Sequence, residues 1–155
     1  MKITNLITGE RVRCTIEKAS REDVLRSKKN FTFDWIKELS RASVFKIISE
    51  ENPEIVQAFF SFKIDDDFIY MSLLERANYK SLKVYDGITE LAFGFVCKMS
   101  FEKGFDGYVS FQPKTVLAGY YQQLLNARSI GGSQQMYLNT EAAEKLLALL
   151  DEEEN

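Results

Sequence analysis

FIYMSLLE (68–75), KVYDGIT (83–89) and ITELAFGFVCKMSFEKGFDGYVSF (88–111) are the stretches that decide the fold. The first is strand-like. The second is a turn closing on Gly87. In the third, Ile88, Leu91, Ala92, Phe95, Val96 and Met99 recur at helical spacing, and Phe93, Cys97 and Phe101 add a second apolar stripe. A helix apolar nearly all round is a buried central helix. Gly94 inside it costs about 1 kcal/mol relative to alanine, which points to close packing there. Gly104 and Gly107 end the helix and lead into a short strand, Tyr108–Phe111. Strand, helix, strand in one direction requires a right-handed parallel crossover.

Upstream, residues 11–17 alternate, with Val12, Cys14 and Ile16 on one side, as in a half-buried strand. Ser20 followed by Asp23 predicts a capped helix from about Arg21, and a second helix is expected over Asp34–Ser40. Residues 43–49 read as a strand, Asn52-Pro53 as a turn, and Ile55–Ile64 as a strand with Ala58, Phe60, Phe62 and Ile64 on one side. Asp65-Asp66-Asp67 is a hairpin turn between strands rather than a metal site. Downstream, the spacing predicts a helix over Val116–Leu125, a turn at Gly131-Gly132 and a strand at Met136–Leu138. A last helix is capped by Asn139 or Thr140, and Asp151–Asn155 is a frayed end. The predicted class is α/β, of the α+β kind. Antiparallel early strands and a parallel strand–helix–strand unit share one mixed sheet with helices on its faces.

The 155 residues suit one domain, 1–155. With 45% hydrophobic and 13% aromatic residues the chain is too apolar to be disordered. Cys14 and Cys97 read as buried free thiols, Cys97 as an inert core residue. The opening MKITNLITGE is too short and polar for a signal peptide, and no apolar run spans a bilayer. A cytoplasmic protein without membrane contact is expected. The net charge of −3 argues against a nucleic-acid partner, and Arg21, Arg26, Lys28 and Lys29 read as a solvated helix face. Histidine is absent, which removes His-based triads and His-rich metal sites.

A glycine at a helix start lets backbone N–H groups converge on an anion. The Gly87 turn lacks both the GxGxxG of a dinucleotide site and the GK[ST] of a nucleotide P-loop. The element order, this turn and the segment KMSFEKGFDGYVSF (98–111) resemble the GNAT acyltransferases. That resemblance implies an acetyl-CoA-dependent N-acetyltransferase acting by direct transfer on a small-molecule or peptide amine, and it leaves room for a homodimer. The family's R/Q-x-x-G-x-G/A turn, which cradles the CoA pyrophosphate, matches Val84, Tyr85, Asp86, Gly87, Ile88 and Thr89, with Lys83 adjacent. Leu73 and Leu74 fall on the strand whose backbone meets the thioester and pantetheine. Glu75 falls where several members carry a base, and Tyr121, with Tyr120 beside it, where many carry the acid that protonates the leaving thiolate. Val84 stands in place of Arg or Gln, and Thr89 in place of a small residue. These departures motivate the alternative, a non-catalytic GNAT-like module acting through protein–protein interaction.

Overall fold

The computed structural model describes residues 1–79, 84–113, 118–131 and 133–152. Among the described residues nine strands, β1 to β9 in chain order, form one mixed sheet with the order β6-β1-β2-β3-β4-β5-β7-β9-β8. Its antiparallel half is β1 (Lys2–Asn5), β2 (Arg11–Lys18), β3 (Ser43–Ser49), β4 (Asn52–Ile64) and β5 (Ile69–Arg76). The two-residue β6 (Tyr85–Asp86) pairs with β1 and leads into helix α3 (Ile88–Glu102). The helix returns the chain to β7 (Val109–Phe111), which lies parallel to β5 as the crossover requires. Helix α4 (Ala118–Leu125), the pair β8 (Arg128–Ser129) and β9 (Met136–Leu138), and helix α5 (Thr140–Glu152) complete the chain. Val116, Leu117, Gly132 and residues 153–155 lie outside the described residues.

Helix α3 covers one face of the sheet. Ala58, Phe60 and Phe62 of β4 and Ile69 and Met71 of β5 bury against it in one core with Leu91, Ala92 and Val96. A Cβ built at Gly94 overlaps Leu150 of α5, so the absent side chain is what lets the two helices approach. Cys97 is fully buried, and burial pushes its thiol up to about 12, leaving it protonated.

The other face carries helices α1 (Arg21–Ser27) and α2 (Trp35–Leu39) over a smaller core of Trp35, Val44, Val56 and Phe59. Both helices start as the sequence predicts. Asp23 N donates to Ser20 Oγ at 3.1 Å and Ser20 N to Asp23 Oδ2 at 2.9 Å, a complete capping box. Asp34 Oδ1 accepts from Lys37 N at 3.0 Å. Two buried acids fix the helices to the sheet. Asp23 accepts Lys46 Nζ of β3 at 2.8 Å. Glu38 accepts Ser61 Oγ of β4 at 2.5 Å and Arg41 Nη2 at 3.0 Å.

Burial raises the Asp23 pKa, but the Lys46 and Ser20 hydrogen bonds outweigh it and bring it from 3.8 to about 2. A carboxyl depressed on folding adds stability above its unfolded pKa, and loses it as pH falls through the folded one. About 2 kcal/mol of stability should therefore disappear between about pH 4 and pH 2. Asp23→Asn should be less stable at pH 7 and should lack this increment, as read by denaturant melts across that range.

Two features depart from expectation. Asn52-Pro53 is not the turn: β4 begins at Asn52, which pairs with Ser49, and the reversal falls at Glu50 and Glu51. Register shifts between Ile47 and Ser49 absorb the irregularity, and proline is tolerated at a strand's start. The short strands β1, β6 and β8 have no counterpart in the sequence reading, and Ile3 of β1 is fully buried.

Candidate active site

Strands β5 and β7 pair only over Ile69–Val109, Tyr70–Ser110 and Met71–Phe111. β5 then runs on to Arg76 while β7 stops at Phe111, so the two part company. Beyond Met71, β5 has no strand partner on that side among the described residues. A cleft of about 470 Å³ opens in the gap.

One extra residue shapes the cleft wall. Ser61 pairs with Leu73 but Phe62 pairs with Met71, so Ser72 is a bulge in β5. The bulge resets the alternation. Met71 faces α3, Leu73 faces the Trp35 core, and Leu74 faces α3 again. Glu75 consequently points to the α1–α2 side and Arg76 to the α3–α4 side. Ser72 Oγ is buried in the wall with no hydrogen-bond partner among the described residues.

Glu75 Oε2 accepts Thr32 N at 2.7 Å, and Oε1 accepts Phe33 N at 3.1 Å and Trp35 Nε1 at 2.9 Å. The carboxylate thus ties the segment before α2 to the strand, with Thr32 and Phe33 as the far wall of the cleft. Three of the carboxylate's four lone-pair positions are occupied, two on Oε1 and one on Oε2. Tyr121 of α4 lines the cleft with its ring edge-on to Phe93 at 5.9 Å and Phe111 at 5.2 Å. Burial, reinforced by Tyr120, raises its pKa above the usual phenol value. Its hydroxyl has no hydrogen-bond partner among the described residues and keeps its proton at neutral pH.

The cleft thus brings together Leu73, Leu74, Glu75 and Tyr121, and Val84–Thr89 do not line it. Tyr85 is buried, and its hydroxyl donates to Glu51 Oε1 at 2.5 Å and lies 3.2 Å from Ser49 Oγ. Ile88 and Thr89, the first residues of α3, are buried, and Val84 O accepts Leu6 N at 2.8 Å. Asp86 is exposed opposite Thr4 of β1. Gly87 has φ 102°, the left-handed conformation that glycine adopts without strain, and no side chain caps α3. Any anion contact of this turn rests on backbone N–H groups. Lys83 lies outside the described residues.

Arg76 was not picked out from the sequence. It lines the cleft, and its Nη2 donates to Tyr85 O, joining the strand end to the turn before α3. Burial lowers its pKa, while Asp86, Tyr120 and Glu90 act in the opposite direction. Nothing in the sequence marks the bulge that aims it: β5 is covered on both faces, so the adjacent leucines 73 and 74 are as ordinary there as the buried Phe59 and Phe60 of β4.

No family model matches the chain, and no curated protein matches it by sequence. Solved structures do match by fold. A structure of AtaTR bound with AcCoA is 12% identical with a TM-score of 0.58, over 86% of this chain and 97% of that one. The ribosomal-protein-S18-alanine N-acetyltransferase from Escherichia coli is 10% identical with a TM-score of 0.56, over 81% and 93%. A GNAT family acetyltransferase from Listeria monocytogenes is 11% identical with a TM-score of 0.53, over 88% and 97%. The fold is that of the GNAT acetyltransferases.

Proposed function

We propose that this chain is an acetyl-CoA-dependent N-acetyltransferase that passes the acetyl group directly to an amine in a ternary complex. The parting of β5 and β7 is the observation that carries it. It leaves a strand edge and a protonated phenol facing one cleft. The residues fit an extended thioester arm: backbone N–H and C=O groups beyond Met71, with Phe93 and Phe111 as apolar floor. The uncapped α3 and Arg76 fit a phosphate, whereas Asp86 and Glu90 oppose one. The fold's crystallised neighbours include AtaTR with AcCoA.

When bound, acetyl-CoA supplies the acetyl thioester. Leu73 and Leu74 would flank it with their backbone, and the N–H of the two that faces the gap would orient its carbonyl as a fixed donor. Tyr121 Oη holds the proton that a departing thiolate needs. As the C–S bond breaks and the N–C bond forms, the amine's own proton leaves to water. Glu75 positions the Thr32–Phe33 wall on the acceptor side, and the open lone pair on its Oε2 is the one place where it could act as base. Val84–Thr89 contribute backbone rather than side chains. Two buried free thiols suit the reducing cytosol, and among the described residues no helix is long and apolar enough to cross a membrane.

The acids at the start of α3 favour the second reading, a GNAT-like module without cofactor that works through a protein partner. Thermal melting with acetyl-CoA separates the two. At 100 times its Kd a ligand adds about 2.7 kcal/mol, which raises Tm by about 5–10 °C in a domain of this size. The expected result is such a rise, abolished by Gly87→Asp. No rise at millimolar acetyl-CoA overturns the enzyme reading and supports the module.

A further inference from the structure

At the other end of β5 from the cleft lies a second cavity, of about 640 Å³. Val109, Leu138 and Met136 face the core, so Tyr108, Ser110 and Tyr137, which alternate with them, face outward. The rings of Tyr108 and Tyr137 are within 10° of parallel, with centroids 6.3 Å apart. Tyr108 and Ile130 remain 41% and 42% exposed at the rim. Ser110 also lines the cavity. It is only 8% exposed, and its hydroxyl has no hydrogen-bond partner among the described residues. Asp67 of the β4–β5 hairpin and Asp106 complete the lining, which holds no lysine or arginine. Asp106 is held in place through its carbonyl, which accepts Thr140 Oγ1 at 2.6 Å.

Aromatic faces, two carboxylates and a hydroxyl are all partners for a cation. Aromatic rings attract one over their faces, and apolar walls receive its hydrocarbon stem. An anion meets two like charges here. A neutral apolar ligand leaves the Ser110 hydroxyl unsatisfied, which is costly. A planar guanidinium stacks on tyrosine and pairs with carboxylates at once, as an ammonium does not. Ile130 lines the cavity, is exposed and directly follows the edge strand β8, so a chain carrying the cation finds apolar surface there with a sheet edge next to it in sequence.

We infer that this cavity is a docking site for an arginine side chain presented by a peptide segment of a protein partner. It is separate from the acyl-transfer cleft and does not depend on that reading.

NMR of the full chain labelled on its tyrosine rings tests this, with the peptide acetyl-Gly-Arg-Leu-Gly-amide and its citrulline counterpart as probes. Citrulline keeps the shape and removes the charge. The arginine peptide should shift Tyr108 and Tyr137 saturably and bind about tenfold more tightly than the citrulline peptide. Asp67→Asn with Asp106→Asn should abolish that preference, with the remaining tyrosine signals reporting an intact fold. Equal binding of the two peptides, or no shift of either ring at millimolar peptide, overturns the assignment. Butylguanidinium binding as tightly as the peptide makes the ligand a free small cation and overturns the peptide occupant.

Discussion

Replacing Tyr121 by phenylalanine should lower kcat for acetyl transfer by about 10²–10⁴-fold while leaving the KM for acetyl-CoA nearly unchanged. The loss falls on kcat because the hydroxyl is needed only as the C–S bond breaks. The ring's edge-on packing against Phe93 and Phe111 survives the substitution, so Tm should hold. Burial makes a further statement. Because it raises the Tyr121 pKa, the phenol stays protonated beyond the ordinary phenol value near 10. The alkaline fall in wild-type kcat should then lie above pH 10, and the phenylalanine variant should lack it. Steady-state rates from pH 7 to the alkaline limit, with whichever amine of a panel is acetylated, decide this. An unchanged kcat would reduce Tyr121 to a packing residue.

Gly107→Ala should be among the most destabilising single-atom-group additions available. At φ +83° the backbone is in the left-handed region, which costs a non-glycine residue about 1–2 kcal/mol. The added methyl would also sit 2.6 Å from Phe101 Cζ and 2.8 Å from Ala143 Cβ. Overpacking of that kind costs about 1–3 kcal/mol more. Together they predict a fall in Tm of about 10 °C. Gly104→Ala is the internal control: its φ is +82°, but nothing lies within 4 Å of the added atom. It should show the backbone cost alone. Equal losses in the two variants would mean that Phe101 and Ala143 move aside.

The central crossover was legible because it is local. The 3.6-residue period of α3, the glycines that end it and the alternation of β2 each sit within a few turns of sequence. The capping box at Ser20 and Asp23 was legible for the same reason. The short strands were not. β6 and β8 have two residues each, too few for any period; β6 exists because β1 offers an edge from the far end of the chain, and β8 because β9 folds back beside it. Tyr85 shows the same limit within the site. Its neighbours in sequence suggest an exposed turn, but Ser49, Glu51 and Asn52 fold over its hydroxyl. Glu75 was placed correctly at the strand's end, yet nothing near it in sequence reveals the amides of Thr32 and Phe33 that occupy it. Arg76 was hidden by arithmetic: without the bulge its side chain belongs on the opposite face.

The bulge at Ser72 gives β5 one residue that the sequence counts and the pleat does not. Exchanging the serine for another small residue keeps the frame. Keeping the residue but flattening the bulge would move Leu73 to the α3 face and swap the destinations of Glu75 and Arg76, presenting a guanidinium to the amides of Thr32 and Phe33 and a carboxylate to Asp86 and Glu90; deleting it would leave Leu73 directly after Met71, opposite Ser61 as now, with every side chain on its present face. In descent, then, this lineage can lose the one codon between Met71 and Leu73 and keep every later side chain on its face, straightening the strand without disturbing its alternation.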